Sequence, residues 1–473
     1  MADAPPAPRA DNAPSSDPRR RRREQRGWYL YDWANSVFIT SVVTVLIGPY
    51  MSTLACASVG AADAAACQDS SLALAPLGVD WFTLHPNALY PALTTLAILL
   101  QILLLPSVGA MVDRSRHKKR WLLWLAVGGS ACTAGLYAAT DGYHAASVLF
   151  VLANVLYGLS IVVYNAFLPE IATADERDRV SVTGWGIGYL GGALLLAVHL
   201  GLVLSADSLG LETGHAVRIA FVSVGLWWAG FTVLSLRPLR NRYGALAASA
   251  GSGSGSGRAV GGSLRQFWHT LRDMRKYPNT ILFLLAFILF NDGVQAAIRY
   301  AAPFATQDLG LEEDALIMTI LVIQFVAFAG AFLAGRVARV VGSKATVLGS
   351  LAVWCLLVAL AYFLPAGNVV LFVAMGVGIG LVLGGTQSLA RALFSQLIPP
   401  GREAEYFSLY QISDRGSTFL GSLAVTIAVS LTGGYRVAIL SLIVFFVIGG
   451  ALLWRTRMRE GIEAVGNKVP ERL

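Results

Sequence analysis

The chain has 473 residues, of which 55% are hydrophobic and only 14% are charged. Its mean hydropathy of +0.60 excludes a water-soluble protein of this length, because apolar segments long enough to cross a hydrocarbon layer of about 30 Å recur along it. The formal charge of +8 does not indicate a nucleic-acid partner, since the basic residues form short clusters between apolar segments and not one patch.

Twelve apolar segments of helical span length follow one another along the chain. They cover residues 28–54, 86–112, 121–140, 145–168, 180–205, 216–236, 279–305, 315–340, 345–364, 369–397, 405–431 and 435–454. A helix of about 20 such residues spans a bilayer. The sequence therefore predicts an all-α membrane protein with twelve transmembrane helices.

Lysine and arginine fall on alternate loops between these segments. The loop 114–120, the linker 237–278 and the loop 336–344 are basic, whereas the loops 55–85 and 307–314 contain neither residue. Basic loops stay on the cytoplasmic side. The pattern predicts a multi-pass protein of the cell's inner membrane with both termini in the cytoplasm, and the apolar segment near the start is too long for a cleaved signal peptide.

An internal repeat divides the chain into two halves. At an offset of about 226 residues, the basic loop that starts at Gly109 lies over the loop that starts at Gly335. Two parallel repeats of six helices, with a central site between them, are typical of transporters that open to alternate sides. The predicted units are a disordered basic tail (1–26), a six-helix bundle (27–236), a cytoplasmic linker with a Gly/Ser tract (237–278), a second six-helix bundle (279–455) and a cytoplasmic tail (456–473).

Two further predictions concern the linker and the cysteines. The segment 264–274 sets Phe267, Trp268 and Leu271 against basic residues, which predicts an amphipathic helix at the membrane surface. Cys56 and Cys67 share the loop after the first span, either as a disulfide or as two free thiols.

A charged loop predicts a gate at one face of the protein. Residues 109–120 read GAMVDRSRHKKR and resemble the signature loop between the second and third spans of the major facilitator superfamily. Glycine permits close helix approach, and an aspartate and an arginine at a helix end suit a charge-assisted latch. The alternative is that the charges of this loop only orient the protein in the membrane. The predicted gate residues are Gly109, Asp113, Arg114, Glu170, Arg391, Asp414 and Arg415, and we expect Asp414 and Arg415 to form a network with Asp113 or Arg391.

Three further stretches resemble the vacuole-effluxer, autophagy-related branch of that superfamily. They are GWYLYDWANS at 27–36, LPEIA at 168–172 continuing to GWGIGYLGG at 184–192, and IPPGREAEY at 398–406. The resemblance covers nearly the whole membrane part of the chain. It implies the major facilitator fold of two pseudo-symmetric six-helix bundles and proton-linked or facilitated movement of small solutes, with amino acids as the substrates of fungal members.

Ionisable and amide side chains inside the spans are the candidates for a solute site, because a charge in hydrocarbon costs roughly 2.5–3.5 kcal/mol and must face protein or water. Asp292 and Arg299 lie two helical turns apart on one face, an arrangement that suits a zwitterion; the alternative is an ion pair with another helix. Asp32 lies near the cytoplasmic end of the first span, where it suits a gate or a proton site; the alternative is a capping or latch role. The other predicted substrate-binding or coupling residues are Asn35, Asn154, Tyr157, Asn165, Trp185, Tyr189, Asn291, Gln295, Gln324 and Gln387. A bond between helices is the alternative for Asn154, Tyr157, Asn165, Gln324 and Gln387, and Trp185 and Tyr189 are candidates for lining a cavity.

These observations favour a secondary transporter of a small polar solute, with amino acids as one candidate and sugars or organic anions as others. No nucleotide-binding loop, metal-ligand spacing or nucleophile with a base is present in the sequence, so we expect neither a cofactor nor an enzyme. The alternative is an integral-membrane sensor or enzyme that moves no solute. The expected partners are a small molecule, the lipid bilayer and protons, and a monomer is favoured.

Overall fold

The computed structural model describes residues 14–60, 67, 72–74, 82–140, 142–242, 263–416, 418–432 and 434–473. The Gly/Ser tract and residues 1–13 of the predicted tail lie outside these ranges. The helices of the first half are Pro18–Val37, the π-helix Phe38–Leu46 and Ile47–Ser58 in span 1; Pro86–Ala88 (3-10) and Leu89–Arg114 in span 2; Lys118–Gly135 and Leu136–Ala138 (3-10) in span 3; Tyr143–Asn165 and Leu168–Ile171 in span 4; Ala174–Glu176 (3-10) and Arg177–Leu204 in span 5; Asp207–Leu209 (3-10); and Thr213–Leu236 in span 6.

The second half repeats this plan after one extra helix. Its helices are Ser263–Met274, here called the linker helix; Pro278–Pro303 and the π-helix Phe304–Asp308 in span 7; Glu313–Val341 in span 8; Ser343–Tyr362 in span 9; Val369–Gln396 in span 10; Glu403–Gly416 and Thr418–Thr432 in span 11; Tyr435–Ser441 and Ile443–Arg455 in span 12; and Met458–Ala464 after it. The linker helix confirms the amphipathic helix predicted at 264–274.

Eleven of the described helical segments are long and apolar enough to cross a membrane. The other predicted span, 405–431, is described as two consecutive helices on either side of position 417. This chain is thus a multi-pass membrane protein.

Span 1 begins ten residues earlier than the apolar pattern predicted. Asp17 accepts the backbone N–H of Arg19 at 2.9 Å, and Pro18 occupies the first turn, where its missing N–H costs nothing. Arg21 pairs with Glu176 at 2.9 Å. The prediction of a disordered tail through residue 26 is therefore wrong for residues 18–26, because capping and ion pairing extend the helix beyond its apolar part.

The loop after span 1 contains structure that hydropathy did not reveal. Strands β1 (Leu72–Leu74) and β2 (Phe82–Leu84) pair antiparallel, with Leu72 opposite Leu84. Cys56 and Cys67 form a disulfide with 5.3 Å between their Cα atoms, which decides between the two alternatives left open by the sequence.

The two halves pack in equivalent ways. Span 1 packs against spans 5 and 6 as span 7 packs against spans 11 and 12, and span 2 packs against span 4 as span 8 packs against span 10. Between the halves, span 2 contacts span 11 and span 5 contacts span 8, which are equivalent pairs under the repeat. Span 1 begins, span 2 ends and span 11 begins at one face of the molecule, which we call the latch face.

Candidate functional site

A buried ion pair joins the halves in the interior. Asp32 of span 1 lies 3.4 Å from the Nη2 atom of Arg391 of span 10, and both residues are buried. Tyr164 of span 4 donates its hydroxyl to the same carboxylate oxygen of Asp32 at 2.6 Å. We call Asp32 and Arg391 the central pair; two charges removed from water are tolerated only when each finds such partners.

Arg391 reaches from the second half into a socket that the first half supplies. Its Nε atom donates to the hydroxyl of Ser181 at 2.9 Å, its Nη2 atom to the Ser181 carbonyl at 3.0 Å, and its Nη1 atom to Asn165 at 3.3 Å. The guanidinium also lies 4.7 Å from the ring centre of Trp28 and 5.5 Å from that of Trp185. Hydrogen bonds and cation–π contacts therefore hold one cation of the second half against three spans of the first.

A second polar group lies within the second half. Asn291 of span 7 accepts from Gln387 at 2.6 Å and donates to Asp414 at 2.9 Å, and Gln411 donates to Asp414 at 3.1 Å. We call these four residues the amide cluster. The guanidinium of Arg415 lies 5.5 Å from the ring centre of Tyr157 in span 4, so this cluster also borders the first half.

The latch face is closed by a buried charge cluster. Lys118 lies 2.6 Å from Glu170 and 3.7 Å from both Asp113 and Glu403, and all four side chains are buried. Asp113 accepts the backbone N–H groups of Ala404 and Glu405 at 2.9 and 2.8 Å. A carboxylate of span 2 thus caps the N-terminus of span 11, where unpaired N–H groups and the helix dipole favour an anion. We call Asp113, Lys118, Glu170 and Glu403 the latch cluster.

Spans 5 and 10 are joined on the same side of the central pair. Arg177 donates to the Ser395 carbonyl at 2.7 Å and to the Gln396 side chain at 3.1 Å, and Ser181 donates to the Ser388 carbonyl at 2.6 Å. Within the described residues, the bond between halves farthest from the latch face joins Thr40 to Gln324 at 3.0 Å. Hydrogen bonds therefore join the two halves from the middle of the spans to the latch face.

Comparison with known proteins fits this architecture. The family model described as vacuole effluxer Atg22 like matches residues 20–466. The chain belongs to the Atg22-like family. The MFS-type transporter YxiO of Bacillus subtilis is 26% identical over 436 residues, which are 91% of this chain and 94% of that protein. Autophagy-related protein 22-1 of Aspergillus clavatus is 29% identical over 309 residues, which are 60% of this chain and 50% of the fungal protein, so the chain spans about half the length of the fungal relatives it matches.

Solved structures confirm the predicted fold class. Two structures of the E. coli fucose:proton symporter FucP, one of them in the outward conformation, superpose with a TM-score of 0.61 at 12% identity and cover 92% of this chain and 97% of the other. At that identity the match shows the fold alone. The Atg22-like chain therefore has the major facilitator fold, and its family is the one that the motifs at 27–36, 168–192 and 398–406 predicted.

The two residues of the predicted zwitterion site of this Atg22-like protein differ in exposure. Asp292 is completely buried and accepts the backbone N–H of Gly421 at 2.5 Å, whereas Arg299 is exposed and donates to Ser422 at 3.1 Å. The two side chains share a helix face, and both contact span 11. The geometry favours Asp32 and Arg391 as the central charged pair.

In the structure, the cation that contacts Asp113 is Lys118, whereas the sequence pattern pointed to Arg114. Arg114 is exposed and makes no hydrogen bond or ion pair within the described part of the chain, while Lys118, four residues later, holds Asp113. The described bonds of Asp414 go to Asn291 and Gln411, and those of Arg391 go to the socket of the first half. The sequence gives no signal that separates Lys118 from the four other cations of its loop.

Other predicted residues fall into two groups. Asn35 donates to the Tyr31 carbonyl in its own helix at 2.7 Å, and Asn154 accepts from Gln101 of span 2 at 3.0 Å. Gln295, Trp185 and Tyr189 are partly exposed, and the last two pack with ring centres 5.6 Å apart. Ser181, which completes the socket, was not predicted, because a serine inside a span carries no distinctive pattern.

Replacing Gly109 by alanine is expected to prevent tight closure of the latch face. A Cβ atom at this position lies 2.7 Å from the Ala404 carbonyl oxygen, and such overpacking typically costs 1–3 kcal/mol. We expect a lower apparent melting temperature for Gly109→Ala and an equal or higher one for Gly349→Ala, since nothing lies within 4 Å of that Cβ position and alanine favours the helix over glycine. Equal melting temperatures for both variants contradict close contact between spans 2 and 11.

Proposed function

We propose that this major facilitator transporter moves a small polar solute by alternating access around Asp32 and Arg391. The observation that carries the proposal is the buried pair itself, which joins span 1 of one half to span 10 of the other. Its two charges are desolvated and face each other only while the halves are closed. Separation of the halves leaves both groups in need of new partners, and a solute with opposite charges supplies them.

A zwitterion such as an amino acid matches this pair. Its carboxylate fits the planar guanidinium of Arg391, and its ammonium group fits Asp32 and Tyr164. Organic anions and sugars are the second class, because Arg391 alone binds an anion and the amide cluster offers donors and acceptors for hydroxyl groups. The apolar cavity between spans 7, 9, 10 and 12, lined by Ala297, Trp354 and Met375 among others, offers a polar solute no such partners.

Residues 27–236 and 279–455 act as the two moving bundles in this scheme. The latch cluster and the bonds of Arg177 hold them together at one face. Opening there requires span 11 to leave Asp113 and Lys118, so these residues set the free energy of the closed state. Rocking of two bundles about a central site is the motion that a six-plus-six repeat permits.

Proton linkage is the second element of the proposal. The chain's described acids near the centre are Asp32, Asp414 and Asp292, and the Asp292 Oδ1 atom has no hydrogen-bond partner among the described residues. A carboxylate that must stay buried in one state and meets water in the other exchanges a proton between them. A proton symporter shares the fold. An unchanged pH dependence of transport in Asp32→Asn, Asp292→Asn and Asp414→Asn alike contradicts this element.

The latch face is proposed to be cytoplasmic. It carries the basic loops 114–120 and 336–344, while the disulfide between Cys56 and Cys67 lies beyond the far end of span 1, and disulfides persist outside the reducing cytosol. The described state is then closed to the cytoplasm. A membrane-impermeant thiol reagent applied to intact cells tests this orientation. We expect it to label Cys56 only after treatment with an impermeant reductant. Labelling that appears only after cell lysis contradicts the orientation.

Counterflow into proteoliposomes tests the transport function. The purified protein is screened by thermal shift against amino acids, a hexose and organic anions, and each solute that raises the melting temperature is assayed as a labelled solute against an internal unlabelled pool. We expect exchange of at least one of them and a decrease of at least tenfold in Asp32→Asn, a loss of about 1.4 kcal/mol or more. The control Asp207→Asn removes an exposed acid and keeps full activity.

The alternative function predicts the opposite result. A sensor or enzyme that moves no solute binds a ligand and gains thermal stability without any exchange of label. Ligands that stabilise the protein but never exchange therefore contradict the transporter proposal and favour this alternative.

A further inference from the structure

The linker helix has two faces with different surroundings. Thr270 and Met274 are buried, whereas Trp268 is 64% exposed and Arg272, Arg275 and Lys276 are exposed. Trp268, Arg272 and Arg275 follow the spacing i, i+4, i+7, so they form one stripe along the helix and its first following turn. The sequence showed an amphipathic segment; the structure shows which face is docked and which is presented outward.

The docked face connects the linker helix to the latch. The helix packs against span 2, and the hydroxyl of Thr270 donates to Glu405, the residue whose backbone N–H is capped by Asp113. Asp273 pairs with Arg402, next to Glu403 of the latch cluster. Although partial burial raises the pKa of Asp273, hydrogen bonds from Lys276 and Arg402 hold it below its usual value, so this carboxylate stays ionised at neutral pH.

The presented face has the chemistry of a membrane surface site. The linker helix docks at the ends of spans 2 and 11, which is the level of the lipid headgroups. Tryptophan is enriched at that level, and arginine forms forked hydrogen bonds with phosphate. Basic side chains near an anionic leaflet contribute about 1 kcal/mol each. Charge complementarity therefore favours an anionic phospholipid as the occupant of this stripe.

We propose that the linker helix is a lipid-responsive part of the latch: an anionic phospholipid binds at Trp268, Arg272 and Arg275, and this binding stabilises the state that is closed at the latch face. The lipid holds the helix at the surface, and the helix holds the start of span 11 through Thr270 and Asp273. This inference rests on the proposed opening of the latch face, but it does not depend on any solute.

Lipid binding is tested first, on the full-length protein. Native mass spectrometry with phosphatidylglycerol is expected to show fewer bound lipids for Arg272→Gln/Arg275→Gln than for the wild type. The matched control Arg455→Gln/Arg459→Gln removes the same charge from two exposed residues, one at the end of span 12 and one after it, and is expected to bind like the wild type. Equal losses in both variants overturn the proposed site and indicate only general attraction of basic residues.

The coupling to the latch is tested with spin labels at the exposed positions 114 and 336, one in each half. In nanodiscs of phosphatidylcholine with phosphatidylglycerol, we expect the ratio of the short to the long distance to be at least threefold higher than in nanodiscs of phosphatidylcholine alone. Inorganic phosphate added to the phosphatidylcholine nanodiscs is expected to leave this ratio unchanged. Thr270→Val/Asp273→Asn should bind the lipid but lose the shift. A shift that persists in this variant, or that phosphate reproduces, overturns the coupling. Because no solute is present, failure here is distinct from failure of transport.

Discussion

Replacing Arg391 by glutamine is expected to abolish solute exchange and to lower the stability of the folded protein by about 3–5 kcal/mol. The guanidinium supplies Asp32 with its cation and donates to Ser181 and Asn165, so its removal leaves a buried carboxylate without a cation, although the Tyr164 hydroxyl still donates to it. The apparent melting temperature and counterflow measure the two effects separately.

A double variant distinguishes the pair from a merely structural role. Asp32→Asn/Arg391→Gln removes both charges and leaves groups that hydrogen-bond to each other, so most of the lost stability should return while exchange stays absent. Recovery of exchange together with stability contradicts a role of the charges in binding solute. A single variant Arg391→Gln that is as stable as the wild type contradicts the burial of the pair.

Replacing Lys118 by methionine is expected to open the latch face. The change leaves Asp113, Glu170 and Glu403 close together without their shared cation, and like charges in a buried site repel. Ser395 is a suitable reporter, because it is buried and its carbonyl accepts from Arg177 of the other half. In a background of Cys132→Ser and Cys355→Ser, we expect maleimide to label Ser395→Cys at least tenfold faster with the additional change Lys118→Met than without it.

Two controls accompany this measurement. Lys118→Arg keeps the cation and is expected to label slowly. Lys119→Met removes the same charge from the next residue, whose described hydrogen bond is made by its backbone N–H to Asn241, and is also expected to label slowly. Equal labelling of the Lys118→Met and Lys119→Met variants indicates that net charge, and not the latch cluster, sets the closed state.

The sequence predicted the fold because hydropathy and charge act over whole segments. Spans, the six-plus-six division and the family motifs each rest on many residues, so single irregularities do not obscure them. The exceptions are local. The start of span 1 depends on Asp17 and Arg21.

The candidate site was predicted in its residue types but not in its pairing. Asp32, Arg391 and Asn165 were named separately, yet their contact depends on how span 1 and span 10 approach each other across the halves, and helical spacing within one chain segment carries no such information. For Asp292 and Arg299 the spacing on one helix placed both on one face, but it gave no information on their contacts with Gly421 and Ser422 of span 11. The Lys118 cation was hidden in a run of basic residues.

The most direct test of alternating access measures one distance at each face in the same protein. Spin labels at positions 114 and 336 report on the latch face, and labels at positions 204 and 370, which are 79% and 78% exposed at the far ends of spans 5 and 10, report on the opposite face. A solute identified by exchange, or the change Lys118→Met, is expected to lengthen the first distance and shorten the second. Two distances that stay fixed while solute exchange proceeds, or that lengthen together, contradict rocking of two bundles about the central pair.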